Sequence, residues 1–152
     1  LKLKYRVPLQ IVEGRLVLTA VIECPKLRIH RQIMEFVLDT GSQNSYFGYK
    51  DVMRLQIPLS EKPSKGEVDV GGSRYKEIEL PKMKFHILTE DKIGTISLDV
   101  EIHALRTTKT STQKIQIAQA LPSIIGMNFL KDQKLSLHII PTENIAYLEY
   151  DK

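Results

Sequence analysis

Period-two alternation governs what this chain can fold into. Val17–Glu23 is rich in branched residues, and Ile33–Leu38 is a short apolar run between polar flanks. Glu77–Leu80, Lys82–Ile87 and Thr95–Ile102 alternate apolar and polar side chains, as do Leu135–Ile140 and Ile145–Tyr150. Alternation over four to eight residues puts one face of a strand in a core and the other in water. Many short strands at close spacing predict an all-β barrel or sandwich. Helical candidates are few: Tyr49–Leu55 and Met127–Lys131. Pro58, Pro63, Gly66, Gly71–Gly72, Gly94 and Pro141 punctuate the strands. The polar segment Thr107–Gln113 reads as a flexible loop, and Leu1–Arg6 as an edge strand. The chain shows no internal repeat and no low-complexity tract.

A length of 152 residues suits one domain spanning residues 1–152 and is enough to bury a sizeable core. Hydrophobic residues make up 42% and charged residues 26%, a globular balance rather than a disordered one. No apolar run reaches the ~18 residues of a membrane span, and Leu1–Arg6 does not segregate charge from apolar residues as a signal peptide does. The chain lacks an initiator Met and reads as a domain excised from a longer protein. A single cysteine, Cys24, excludes an internal disulfide and a multi-cysteine zinc site and fits a reducing, cytoplasmic setting. The net charge of +4 comes from 22 basic residues interleaved with 18 acidic ones. That pattern is a solvated surface rather than the clustered stripe of a nucleic-acid binder.

The chemistry is concentrated in Phe36-Val37-Leu38-Asp39-Thr40-Gly41-Ser42. An apolar strand delivers an aspartate into a Thr-Gly-Ser turn. A carboxylate beside buried apolar residues needs local partners, and Thr40 and Ser42 carry hydroxyls that can donate. Gly41 has no Cβ, so backbone, or a second chain, can pass close to the acid. Taken alone, Asp39–Ser42 reads more simply as a strand ending in an Asx-type turn. Two further features change the balance: a predicted hairpin around Gly71–Gly72, and the later stretch Pro122-Ser123-Ile124-Ile125-Gly126-Met127-Asn128-Phe129-Leu130.

This order resembles the retropepsin-like aspartic proteases. It shows a hydrophobic-hydrophobic-Asp-Thr-Gly-Ser strand end, then a glycine-tipped flap hairpin. A hydrophobic-hydrophobic-Gly-x-Asn-x-Leu segment follows and leads into a short helix. The resemblance covers roughly residues 16–150. It implies a closed all-β acid-protease barrel with one or two short helices. It also implies an endopeptidase that hydrolyses peptide or protein substrates with no cofactor and no metal. Asp39 would be catalytic, Thr40, Gly41 and Ser42 would support it in the active-site turn, and Val70, Gly71 and Gly72 would form a substrate-binding flap. Retropepsin-like enzymes are homodimers, and this chain agrees in holding one Asp-Thr/Ser-Gly. Asp51, Asp69, Asp91, Asp99, Asp132 and Asp151 lie in no second copy of that box. A two-fold axis would bring Asp39 against its own copy, the isologous arrangement. Thr40 would then reach across to the partner's backbone.

Two carboxylates about 3 Å apart share one proton, because both cannot ionise easily. The ionised member takes a proton from water while the protonated member polarises the peptide carbonyl. That is general acid–base hydrolysis with no covalent intermediate. Two departures from the retroviral pattern stand out. Ser42 replaces a common Ala, and its hydroxyl, donating to Asp39, would shift the activity optimum toward acid. Met127 stands where Arg is usual, so an ion pair is absent there. The alternative function is a catalytically silent module of the same fold, kept for dimerisation or peptide binding in a larger protein.

Other groups carry weaker signals. Cys24 with His30 lacks an orienting acid, and a lone cysteine is usually a small buried apolar residue. His30, His86, His103 and His138 have no metal-ligand spacing. His86 and His138 fall within strand patterns as surface or edge residues. Gly66 through Ser73 echoes a phosphate loop but lacks its lysine and its following helix.

Overall fold

The computed structural model describes residues 4–59, 62–91, 94–107 and 111–151. Along the chain come β1 (Lys4–Val12), β2 (Arg15–Cys24), β3 (Ile29–Leu38), β4 (Tyr46–Phe47) and α1 (Tyr49–Arg54). Then follow β5 (Gly66–Val70), β6 (Ser73–Ile78), β7 (Met83–Leu88), β8 (Thr95–Val100) and β9 (His103–Thr107). The chain closes with α2 (Thr112–Ala120), β10 (Ile124–Ile125), α3 (Met127–Asp132), β11 (Leu135–Ile140) and β12 (Ile145–Asp151). The molecule is all-β with short helices, as the alternation predicts.

The strands pair in the order β11-β12-β1-β2-β3-β10-β4-β9-β6-β5, with β7 added to β2 and β8 to β7. Among the described residues this path has two ends, so hydrogen bonds do not complete the expected closed barrel. The interior is nonetheless continuous. Leu18, Ile22, Phe36, Phe47, Phe85 and Phe129 are each at most 1% exposed. Phe36 stacks on Phe85 with ring centroids 5.0 Å apart, and it lies 6.0 Å from Phe47, while Phe85 lies 6.2 Å from Phe129. Each such side chain stabilises the fold by about 1.5–3 kcal/mol on burial. The aromatic row ties β3, β4, β7 and α3 to one centre, directly behind the end of β3.

Three expectations need correction. The edge-strand reading holds only for Lys4–Arg6, whose one partner strand among the described residues is β12; Leu1–Leu3 lie outside the described residues, and β1 runs on to Val12, joining β2 through Gln10–Val12. Val7 and Leu9 of β1 are buried. The Thr107–Gln113 segment is not one loop. Thr107 ends β9, residues 108–110 lie outside the described set, and Thr112 already opens α2. Ser111 caps that helix, its Oγ accepting from Lys114 N at 3.2 Å, and the Gln- and Ala-rich run behind it favours helix. Finally, β6 spans Ser73–Ile78 and stops short of Leu80.

Candidate active site

Asp39 follows directly on β3, and the end of that strand is held from one side by β10. Val37 and Leu38 lie opposite Ile124 and Ile125 in parallel register. Val37 N donates to Ser123 O and Asp39 N to Ile125 O, both at 2.9 Å. The carboxylate then closes its own turn: Gly41 N donates to Asp39 Oδ1 at 2.9 Å and Ser42 N to Asp39 O at 3.1 Å. Asp39, Thr40 and Gly41 are all exposed in the single chain.

Ser42 does something other than expected. Its hydroxyl donates to the Asn44 carbonyl at 2.7 Å, which tightens the turn rather than solvating the acid. The donor on Asp39 is the Gly41 amide, so the basis for an acid-shifted optimum through Ser42 falls away.

The turn is braced from below by the start of α3. Met127 N donates to Ser42 O at 2.8 Å and Asn128 N to Gln43 O at 3.0 Å. These are first-turn amides with no partner inside the helix. Such contact requires backbone against backbone, and Gly126 permits it. A Cβ there would lie 2.2 Å from Asn44 O and 2.6 Å from Ser42 O. Ser45 Oγ donates to Asn128 Oδ1 at 2.7 Å and accepts from Gly126 N at 2.9 Å. Asn128 Nδ2 reaches the Glu101 carbonyl at 3.0 Å. Beside this brace, Ser123 Oγ donates to Asp51 Oδ2 at 2.6 Å and accepts from Gly48 N at 3.0 Å. Asn128 was signalled by the Gly-x-Asn pattern. Ser45, Ser123 and Asp51 carry no sequence signal, because their partners are distant in the chain.

The predicted hairpin exists. β5 and β6 pair with Val70 opposite Ser73, and the two-residue turn is Gly71–Gly72. Both turn residues have positive φ, 59° and 80°, which glycine adopts without cost and which the right-handed strand twist favours. Arg74 grips Asp69 with two hydrogen bonds, 3.0 and 3.3 Å, and lies 3.5 Å from Glu67. The guanidinium bonded to it holds the Asp69 carboxyl below the ordinary carboxylate range. Beneath the hairpin, Tyr46, Tyr75, Leu105 and Ala118 form a second apolar cluster with Val68, Val70 and Leu121 packed on it. Buried within it, the Tyr46 hydroxyl titrates above its usual range, chiefly through desolvation.

A cleft of about 720 Å³ runs between hairpin and turn. Asp39 and Thr40 line it together with Val70, Gly71, Leu121 and Ile124. Gly41 and Ser42 shape the turn beneath it, and Gly72 shapes the hairpin tip without lining it. Asp39 is the one acid on the lining among the described residues.

The weaker candidates resolve as structural groups. Cys24 is buried, its thiol 3.9 Å from the Lys82 carbonyl. His30 is exposed on the surface. His86 lies inside the sheet rather than at an edge. Its Nδ1 is 2.8 Å from Ser97 Oγ and its Nε2 2.6 Å from Glu23 Oε1, a contact that lowers the Glu23 carboxyl's pKa. His138 stacks on Tyr147 at 4.8 Å. Gly66–Ser73 belongs to the hairpin. Among the described residues no group of three His, Cys, Asp or Glu could hold a metal ion, and no helix is long and apolar enough to cross a membrane.

No protein-family model matches the sequence, and no curated protein matches it. Among solved structures it is similar to a retropepsin-like aspartic protease from Rickettsia conorii, with a TM-score of 0.57 and 13% identity. The superposition covers 99% of this chain and 93% of that one. The fold is retropepsin-like. At that identity the likeness is one of architecture alone.

Proposed function

We propose that this chain is an aspartic endopeptidase in which two copies meet and pair their Asp39 carboxylates. One observation carries the reading: on a retropepsin-like fold, the Asp39 carboxylate lies on the floor of a cleft roofed by a glycine-tipped hairpin. The Gly41 amide fixes that carboxylate. The likeness to a known aspartic protease supports the general chemistry. The exposure of Asp39, Thr40 and Gly41 in one chain supports a second copy as the missing half. Residues 1–152 would act as one catalytic domain.

In the pair, one carboxylate is ionised and takes a proton from the attacking water. Its protonated twin gives its proton to the scissile carbonyl oxygen; as the tetrahedral intermediate collapses, the acid that took the water's proton delivers it to the departing amine, and the twin recovers a proton from the gem-diol hydroxyl. Gly41 N, already bonded to Oδ1, holds each acid in place and leaves the shared proton to the other oxygen. Thr40 reaches toward the partner's backbone. Val70 and Gly71 close over an extended peptide, excluding water and strengthening each polar contact inside. The apolar walls at Val70, Leu121 and Ile124 favour apolar side chains in that peptide.

Replacing Asp39 by Asn preserves shape and removes the proton chemistry. The expected result is a loss of kcat/KM of at least about 10²–10⁴-fold, with unchanged circular dichroism and sedimentation. Undiminished cleavage by purified Asp39→Asn protein would refute the reading. The second reading is a silent module of the same fold, kept for dimerisation or peptide binding. It predicts dimers or peptide capture with no hydrolysis by the wild type. Sedimentation with and without peptide, beside the cleavage assay, separates the two.

A further inference from the structure

His103 opens β9 at the point where the hairpin's base, the exit of the catalytic turn and the α3 brace converge. Its backbone N donates to Ser45 O at 3.0 Å, and Ser45 is the residue whose hydroxyl braces Gly126. Its side chain is 5% exposed and lies between two carboxylates. Nδ1 is 2.6 Å from Oε1 of Glu77, the penultimate residue of β6 at the hairpin's base. Nε2 is 3.3 Å from Oε1 of Glu101, on the turn before β9, and makes no hydrogen bond. It is the one buried side-chain polar atom without a hydrogen bond among the described residues. From β4, the neutral Tyr46 lies opposite His103 in parallel register. From α3, Asn128 fixes Glu101 through its carbonyl.

The proton inventory of imidazole makes this arrangement asymmetric. A neutral ring has one N–H. Spent on Glu77, it leaves a bare lone pair at Nε2, buried and facing a carboxylate. An imidazolium has two N–H groups, one for each glutamate. Small movement at the half-exposed Glu101 side chain then completes a bridge from β6, through β9, to the segment that α3 holds.

We propose that His103 is a positioning residue that, when protonated, latches the base of the hairpin to the catalytic turn. It thereby couples hairpin order to pH independently of the Asp39 pair. The coupling matters for catalysis only if the endopeptidase reading holds, but the latch itself is a property of the fold. Loss of the ring's second proton as pH rises removes the donor that faces Glu101 and loosens the hairpin's tie to the turn. Substrate capture weakens while the chemical step persists, so KM rises more than kcat falls.

The test is amide hydrogen exchange over Gly66–Ile78 in the full chain from about pH 5 to about pH 8, as protection corrected for intrinsic rates. In the wild type, protection falls roughly tenfold across that range, the worth of one charge-assisted hydrogen bond. His103→Gln abolishes the step and leaves low protection throughout. Glu101→Gln, at an exposed position, shrinks the step. An unchanged step in His103→Gln, or a flat wild-type profile, overturns the proposal. If His103→Gln does not fold, Glu101→Gln decides, and an undiminished step there overturns it equally. In the cleavage assay His103→Gln raises KM and removes its rise with pH. Asp39→Asn, by contrast, abolishes cleavage and keeps the exchange step. A wild type without hydrolysis therefore removes the endopeptidase and leaves the latch to the exchange data.

Discussion

At the scale of single residues, Asp39 takes its orientation from a neighbour with no side chain. The Gly41 amide binds Oδ1, while Ser42, the residue whose chemistry invites attention, turns away to Asn44. The Asp39–Ser42 box was legible in the sequence because the bonds that close its turn are local. The target of the Ser42 hydroxyl was not, because Asp39 and Asn44 are both near it in sequence and only the backbone path chooses between them. Ser42→Ala is therefore expected to leave the acidic limb of the pH–rate profile in place. It costs the turn about 0.5–1.5 kcal/mol, read as a thermal midpoint lower by about 2–5 °C. A displaced acidic limb would mean that the hydroxyl reaches the acid after all.

Among elements, β10 and α3 do more than their lengths suggest. Two residues of β10 hold the end of β3 in parallel register, and the first amides of α3 hold the turn's carbonyls. Gly126 joins them at a backbone separation that admits no side chain. Gly126→Ala forces the turn and the helix apart. The expected loss is about 1–3 kcal/mol of stability, with kcat falling more than KM rises as Asp39 shifts; unaltered stability and kcat would contradict the brace. Period-two runs exposed most strands, because one buried face leaves a direct imprint on the sequence. The same imprint could not show that β1 changes partner from β12 to β2 along its length, since alternation reports faces and not edges. α2 was hidden for a different reason: only Ala118 of it is buried, so burial stamps no helical period on it. Its Thr- and Ser-rich approach resembles a loop.

At the scale of the whole molecule, the order of the sheet brings residues separated by most of the chain to one cleft. β3, β10 and the β5–β6 hairpin meet there, although the sequence gives no direct sign of the pairing among them. Family resemblance anticipated that meeting; composition and periodicity did not. The sheet path nonetheless keeps two ends, and the cleft holds one acid. A mixture of wild-type and Asp39→Asn chains, unfolded together and refolded, should hydrolyse peptide in proportion to the square of the wild-type fraction. A linear decline would mean that each chain works alone. The solitary acid at the base of the cleft thus carries a cost beyond chemistry. In the proposed dimer, defective copies made beside sound ones would not merely dilute the population; they would recruit good chains into useless pairs, and the damage would spread further than their own number.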